Sequence, residues 1–118
     1  MKNITFLVTM TTFLAILSTT TASWGSWQPI KNLNDENVKE IAGFAVQAYD
    51  EQASGRRPPL KLLKVESGQF EGVAGGKDYL LTLTAVVPRE GSRVNLYETI
   101  VYENVGNQKK LLSFKKLL

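Results

Sequence analysis

Two pairs of adjacent carboxylates, Asp35 with Glu36 and Asp50 with Glu51, could in principle share general acid and base work. The stretch Gly68-Gln-Phe-Glu-Gly-Val-Ala-Gly-Gly-Lys-Asp-Tyr79 is rich enough in glycine to suggest a phosphate cradle. Neither fits its chemistry. An acid and a base must both reach one substrate, whereas side chains adjacent in sequence do not face each other, and both pairs fall at the ends of a predicted helix where solvent-facing acids are ordinary. A Walker loop needs Gly, four residues, then Gly-Lys-Ser/Thr. Counting back from Gly76-Lys77 lands on Glu71, and Asp78 stands where the hydroxyl is required. A dinucleotide loop needs a helix after the turn, and here a strand pattern follows. The chain also has no Cys and no His, so it lacks a thiol nucleophile, an imidazole base and the usual zinc ligands. No enzyme, no cofactor and no metal site are expected.

The glycine stretch must then serve the fold or a partner. Four of the nine glycines fall between Gly68 and Gly76, in a place where the pattern reads as strand, turn, strand. That is a hairpin, and glycine is the default residue where a turn needs positive φ. Bare backbone is also what a partner-binding loop would offer.

At the amino end, Lys2 opens a short basic region, Ile4 to Leu17 is mostly apolar, and Leu17-Ser-Thr-Thr-Thr-Ala-Ser23 is a run of small residues. That order predicts a secretory signal peptide over residues 1–23, with cleavage near Ala22 or Ser23. Its apolar core is shorter than the ~20 residues that a spanning helix needs, so a secreted chain free of the membrane is expected. The glycosylation triplet Asn3-Ile-Thr5 would be discarded with it. The remaining domain, residues 24–118, is roughly 95 residues long and can bury a modest core, without the disulfides on which small secreted domains often rely. Losing Lys2 lowers the net charge of +3 by one. Nucleic acid is not an expected partner, because basic and acidic residues are interleaved as far as Glu103. Lys109, Lys110, Lys115 and Lys116 cluster near the carboxyl end and suit a strand edge protected against aggregation.

Along this domain, Trp27-Gln-Pro-Ile30 reads as a short extended entry, and Asn32 to Asn37 offers capping side chains, with Asn34 the expected cap. Ile41, Phe44, Ala45, Ala48 and Tyr49 recur at spacings of three and four. They predict an amphipathic helix over residues 35–52 with Phe44 and Tyr49 in the core. Gly43 inside it suggests close approach of another backbone. Ser54-Gly-Arg-Arg-Pro-Pro59 reads as an extended, exposed loop. From Leu60 the period becomes two. Leu63 and Val65, then Tyr79 to Val87, then Leu96 to Tyr102, then Leu111 to Leu118 predict four strands in a meander, joined at the glycine loop, Pro88-Arg-Glu-Gly-Ser92 and Asn104-Val-Gly-Asn107. Trp27 is expected to pack on the sheet; Phe70 suits either the strand or a contact surface. The fold class is α+β: one long helix across a four- to five-stranded antiparallel sheet, burying the apolar face of each. A monomer is expected.

Ile41-Ala-Gly-Phe-Ala-Val-Gln-Ala-Tyr-Asp50 resembles the helix signature of the plant cystatins, secreted inhibitors of papain-like cysteine proteases, commonly L-A-R-F-A-V, two residues, then His or Tyr and Asn. Gly43 and Asp50 depart from it. Gly25-Ser-Trp-Gln-Pro-Ile30 is similar to the family's G-G-W-x-P-I entry, Tyr79-Leu-Leu-Thr-Leu83 and Tyr97-Glu-Thr-Ile-Val-Tyr102 to its central strands, and Leu112-Ser-Phe114 to its closing strand. The resemblance covers nearly all of residues 24–118 and implies a cystatin-like fold in which the amino-terminal strand and two hairpin loops wedge into a protease cleft.

Carried across by position, the resemblance gives the wedge as Gly25 and Ser26, then Glu71, Gly72, Val73, Ala74 and Gly75 in place of the family's Q-x-V-x-G loop, then Val105 and Gly106 in the second hairpin. Glutamate stands where glutamine is expected, with an extra residue before Tyr79; counting back from Tyr79 would instead put Gly72 at the glutamine and Ala74 at the valine. Val105-Gly106 replaces the family's Pro-Trp. The expected function is reversible inhibition of papain-like cysteine proteases with weakened or altered affinity. The alternative is a cystatin-fold binding or storage protein that does not inhibit.

Overall fold

The structure is a computed structural model that describes residues 26–88 and 93–118. The expected signal peptide, Gly25 and most of the Pro88–Ser92 connection lie outside the described residues. The elements are β1 (Gln28–Pro29), α1 (Glu36–Ala53), β2 (Lys61–Val73), β3 (Gly76–Val86), β4 (Val94–Asn104) and β5 (Lys109–Lys116). The five strands form one antiparallel sheet in sequence order, and α1 lies across one face of it.

The helix starts one residue later than its composition suggests. Asp35, not Asn34, takes the extended capping conformation, and its side chain makes no capping bond. Asn34 is instead held in the approach to the helix, its N–H donating to Asn32 Oδ1 at 3.0 Å. At the other end Ser54 adopts left-handed φ, and Arg56 Nε donates to the Ala53 carbonyl at 3.0 Å, meeting one of the acceptors that a helix end leaves unpaired.

One face of α1 carries Val38, Ile41, Ala42, Ala45 and Val46, all buried against Val65, Tyr79, Leu81, Leu83 and Val101 of the sheet. Burying a side chain such as Ile41 or Leu81 completely contributes about 1.5–3 kcal/mol. Phe44 packs on the margin of this core. Tyr49 stacks on Phe114 of β5 with centroids 4.0 Å apart. Trp27, expected on the sheet, remains 37% exposed, because β1 pairs for only two residues and holds little of the entry segment down.

Three other local expectations change. Leu63 and Val65 do not share a face: register shifts between Leu62 and Lys64 and between Val65 and Ser67 turn Val65 into the core and leave Leu63 exposed. Arg57 is not a plain surface loop residue. Its Nη1 meets Asp50 Oδ1 at 2.9 Å, its guanidinium lies 3.9 Å from the centre of the Tyr49 ring, and both Asp50 oxygens accept the Leu60 N–H at 3.2 Å. Asp50 thus ties the helix end to the start of β2. Gly43, finally, has no atom near enough to meet an added Cβ, so no backbone packs there. The close approach is at Gly76, where a Cβ would collide with the Glu103 carbonyl and sit 2.7 Å from Asn104 Cα.

These two glycines should respond in opposite directions to alanine. Gly43→Ala should raise stability by about 0.5–1 kcal/mol, and Gly76→Ala should lower it by about 2 kcal/mol through forced separation of β3 and β4. Urea denaturation of both variants checks the pair; a neutral Gly76→Ala would refute the packing described.

Candidate functional site

The first hairpin closes tightly. Val73 pairs with Gly76, leaving Ala74 and Gly75 as a two-residue turn with Gly75 at φ +77°, the left-handed position that a type II turn gives to glycine. The second hairpin turns beyond Glu103 and Lys109. Because Gly76 also pairs with Asn104, both turns emerge at the same end of the sheet. Gln28 pairs with Phe70 and Pro29 with Gln69, antiparallel, so the chain before Gln28 heads toward that end as well. Of the residues singled out from sequence, Ser26, Glu71, Gly72, Val73, Ala74, Gly75, Val105 and Gly106 are therefore gathered at one end, and Gly25 lies outside the described residues. Phe70 belongs to β2 and packs on the margin of the core.

Three contacts at this end carry no mark in the hydrophobic pattern. Val105 N–H donates to the Gly75 carbonyl at 3.1 Å, and Tyr102 Oη donates to the Ala74 carbonyl at 3.3 Å, so the tips of the two hairpins are bonded to each other. Asn104 Oδ1 accepts the N–H groups of Gly106 and Gln108 at 2.8 and 2.9 Å. The last of these had a legible signal, since Asn ahead of a Gly-Asn pair is a familiar way of bonding a turn to its own side chain. The bridge between tips had none, because it depends on which turns become neighbours.

Behind the tips sits a polar cluster at the start of α1. Glu103, 7% exposed, faces Lys109 Nζ at 3.4 Å and accepts from Asn37 Nδ2 at 3.4 Å. Lys109 is therefore tucked inward, whereas Lys115 remains at the exposed edge beside Glu98. Burial pushes the Tyr79 hydroxyl above its ordinary range, and the Glu103 carboxylate adds to the effect. A groove of about 640 Å³ runs beside the cluster, between Pro29, Ile30, Val38, Phe70, Lys77 and Tyr79. Among the described residues, nothing at this end combines a nucleophile with a base. Its chemistry is that of a rigid edge of exposed backbone and short side chains.

Comparison with known proteins gives that edge a context. The family model described as "SQAPI: Aspartic acid proteinase inhibitor" matches residues 30–117. The chain is also similar to "Cysteine proteinase inhibitor 1" of Actinidia chinensis var. chinensis, 34% identical over 94 residues that cover 79% of this chain and 75% of that one. It is 32% identical over 120 residues to "Putative cysteine proteinase inhibitor 7" of Oryza sativa subsp. japonica, covering 99% of this chain and 97% of the relative. The chain belongs to the plant cystatin-type family of proteinase inhibitors. A further rice relative, "Cysteine proteinase inhibitor 8", is 34% identical over 92 residues, 77% of this chain and 70% of that one. The family consists of proteinase inhibitors, not enzymes. The matched family and these relatives are named for inhibition of two protease classes, aspartic and cysteine.

The first hairpin of this cystatin-type chain carries two acids directly opposite each other, Glu71 on β2 and Asp78 on β3, and paired positions share a face of the sheet. Burial raises the Asp78 carboxyl above its ordinary 3.8. The folded chain therefore keeps a proton at Asp78 in a pH window where the unfolded chain has released it, and stability at this residue falls as pH rises through that window. Asp78→Asn should remove this contribution: relative to the parent, the variant should gain stability from about pH 4 upward and show a flatter profile to neutrality. Urea midpoints measured across pH 3–7 check it, and parallel curves would show that Asp78 is not the group responsible.

Proposed function

We propose that this cystatin-type inhibitor is secreted after loss of residues 1–23 and acts reversibly on papain-like cysteine proteases, with an affinity altered from that of its relatives by its hairpin tips. The observation that carries the reading is the convergence of Ser26, Val73 to Gly75 and Val105 to Gly106 at one end of a sheet braced by α1. An edge of this kind can enter a narrow cleft as a wedge. Short side chains and bare backbone approach closely, and a scaffold already ordered loses little conformational freedom on binding. Glu71 and the Val105-Gly106 pair, in place of glutamine and Pro-Trp, support the altered affinity: a tryptophan anchor can contribute about 2 kcal/mol or more at an interface, and a carboxylate entering a desolvated cleft is costly without a cation to meet it.

A second reading has its own support. The family model matched over residues 30–117 is described by aspartic acid proteinases, so the same edge could address an enzyme of that class.

Titration of the secreted chain against papain and pepsin tests both. Reversible inhibition of papain is expected, with Val73→Ala weakening it about tenfold, the equivalent of about 1.4 kcal/mol, at unchanged melting temperature. Inhibition of pepsin alone would select the second reading. Inhibition of neither would leave a cystatin-fold binding or storage protein, and unaltered potency in Val73→Ala would remove the first hairpin from the contact.

A further inference from the structure

The second hairpin differs from a free loop in being bonded on all sides. Asn104 Oδ1 accepts the N–H groups of Gly106 and Gln108, its Nδ2 donates to Gln108 Oε1 at 3.2 Å, and its backbone N–H donates to the Gln108 carbonyl at 2.9 Å. Asn107 takes left-handed φ of +66° and donates its N–H back to the Asn104 carbonyl at 3.0 Å. Val105 spends its own N–H on the Gly75 carbonyl of the other hairpin. A proline at this position would have no N–H to give, so the bridge between the tips requires a residue other than proline here.

The turn leaves its apolar side chain outside, beside the exposed polar residues Asn107 and Gln108. Val105 is 91% exposed, at the apex of a turn whose backbone is bonded to its neighbours. A β-branched side chain has few rotamers to lose, and the backbone beneath it is already ordered, so contact with a partner would order little that is still free. Its size suits a shallow apolar recess and would underfill a deep one.

We propose that Asn104 is the positioning residue of the second hairpin and Val105 its specificity-determining contact. Together with the Val105–Gly75 bridge, Asn104 makes the two tips one rigid edge that presents an isopropyl group to a shallow apolar subsite of the target protease. The inference rests on the protease-docking reading above, and its two halves are tested by different measurements.

Amide hydrogen exchange reads the positioning without any protease. Asn104→Ala should speed exchange at Gly106 and Gln108 about tenfold or more, with the melting temperature little changed. Asn104→Asp, which keeps the accepting oxygens, should restore slow exchange. Unchanged exchange in Asn104→Ala would overturn the positioning role. Inhibition of papain and pepsin reads the contact: Asn104→Ala should weaken binding about tenfold, chiefly through faster dissociation, and Asn104→Asp should recover most of it. Val105→Ser, which keeps the bridging N–H, should weaken inhibition similarly while leaving exchange as in the parent. Full potency in Val105→Ser would overturn the contact. A parent that inhibits neither enzyme would remove the docking reading and the role of Val105 with it, while exchange would still decide that of Asn104.

Discussion

Ile41 of the helix and Leu81, Leu83 and Val101 of the sheet have no accessible surface, and their mutual contact is what the rest of the molecule depends on. The chain contains no cysteine, so no disulfide limits its unfolded state, and the core alone must hold one helix against five strands. Ala42 and Ala45 beside Ile41 keep that helix face low, which lets the helix lie close to the sheet. The Tyr49–Phe114 stack and the Asp50–Arg57 pair secure the far end of the helix. At the near end the connection is polar, through Asn37, Glu103 and Lys109.

The distribution of irregularities follows the distribution of work. Both shifts in β2 fall before Ser67, at the end away from the tips, whereas Gly68 to Val73 pair without interruption with Leu81 to Gly76. β3 and β4 pair without a shift from Gly76–Asn104 to Val86–Val94. The first hairpin is therefore delivered in regular register, whereas the second carries one shift between Ile100 and Val101 and pairs regularly only from Val101–Leu111 to Glu103–Lys109 at its turn. Gly76 makes that delivery close, since the β4 backbone leaves no room for a side chain there. Once the strands approach so nearly, the Val105 N–H can reach Gly75. The coupling of the tips is thus a consequence of strand register, and a loop graft onto a looser hairpin would not inherit it.

Period and turn chemistry made the main elements legible. The spacing of Ile41, Phe44, Ala45 and Ala48 located α1 to within a residue at each end, and the alternation from Tyr79 to Val87 located β3, which starts three residues earlier at Gly76 and ends at Val86. What could not be read locally was whatever depends on a partner strand. Leu63 and Val65 look equivalent in sequence, and only the bulge between them decides which is buried. Arg57 follows Gly55-Arg56 and precedes two prolines, as an exposed loop residue would, yet it finds a ring and a carboxylate contributed by the helix end. Gly43 invited a packing explanation that belongs to Gly76. At the tips, the two-residue turn at Ala74-Gly75 was legible as a hairpin, whereas the bonds from Tyr102 and Val105 to that turn were hidden because they are made between hairpins.

The acids of the first hairpin have a particular place in this arrangement. Asp78 is already half-buried in the free chain, and its carboxyl is raised by that burial. Part of its dehydration therefore occurs on folding, so a partner covering this face meets a group that has less hydration left to lose than a fully exposed carboxylate. The same burial makes proton uptake at Asp78 easier than at an ordinary aspartate. The protonated and ionised states of Asp78 thus differ in charge on the flank of the hairpin, while its tip is bare backbone. The contrast between the two states lies on the sheet, behind an edge whose geometry is set by hydrogen bonds that do not titrate.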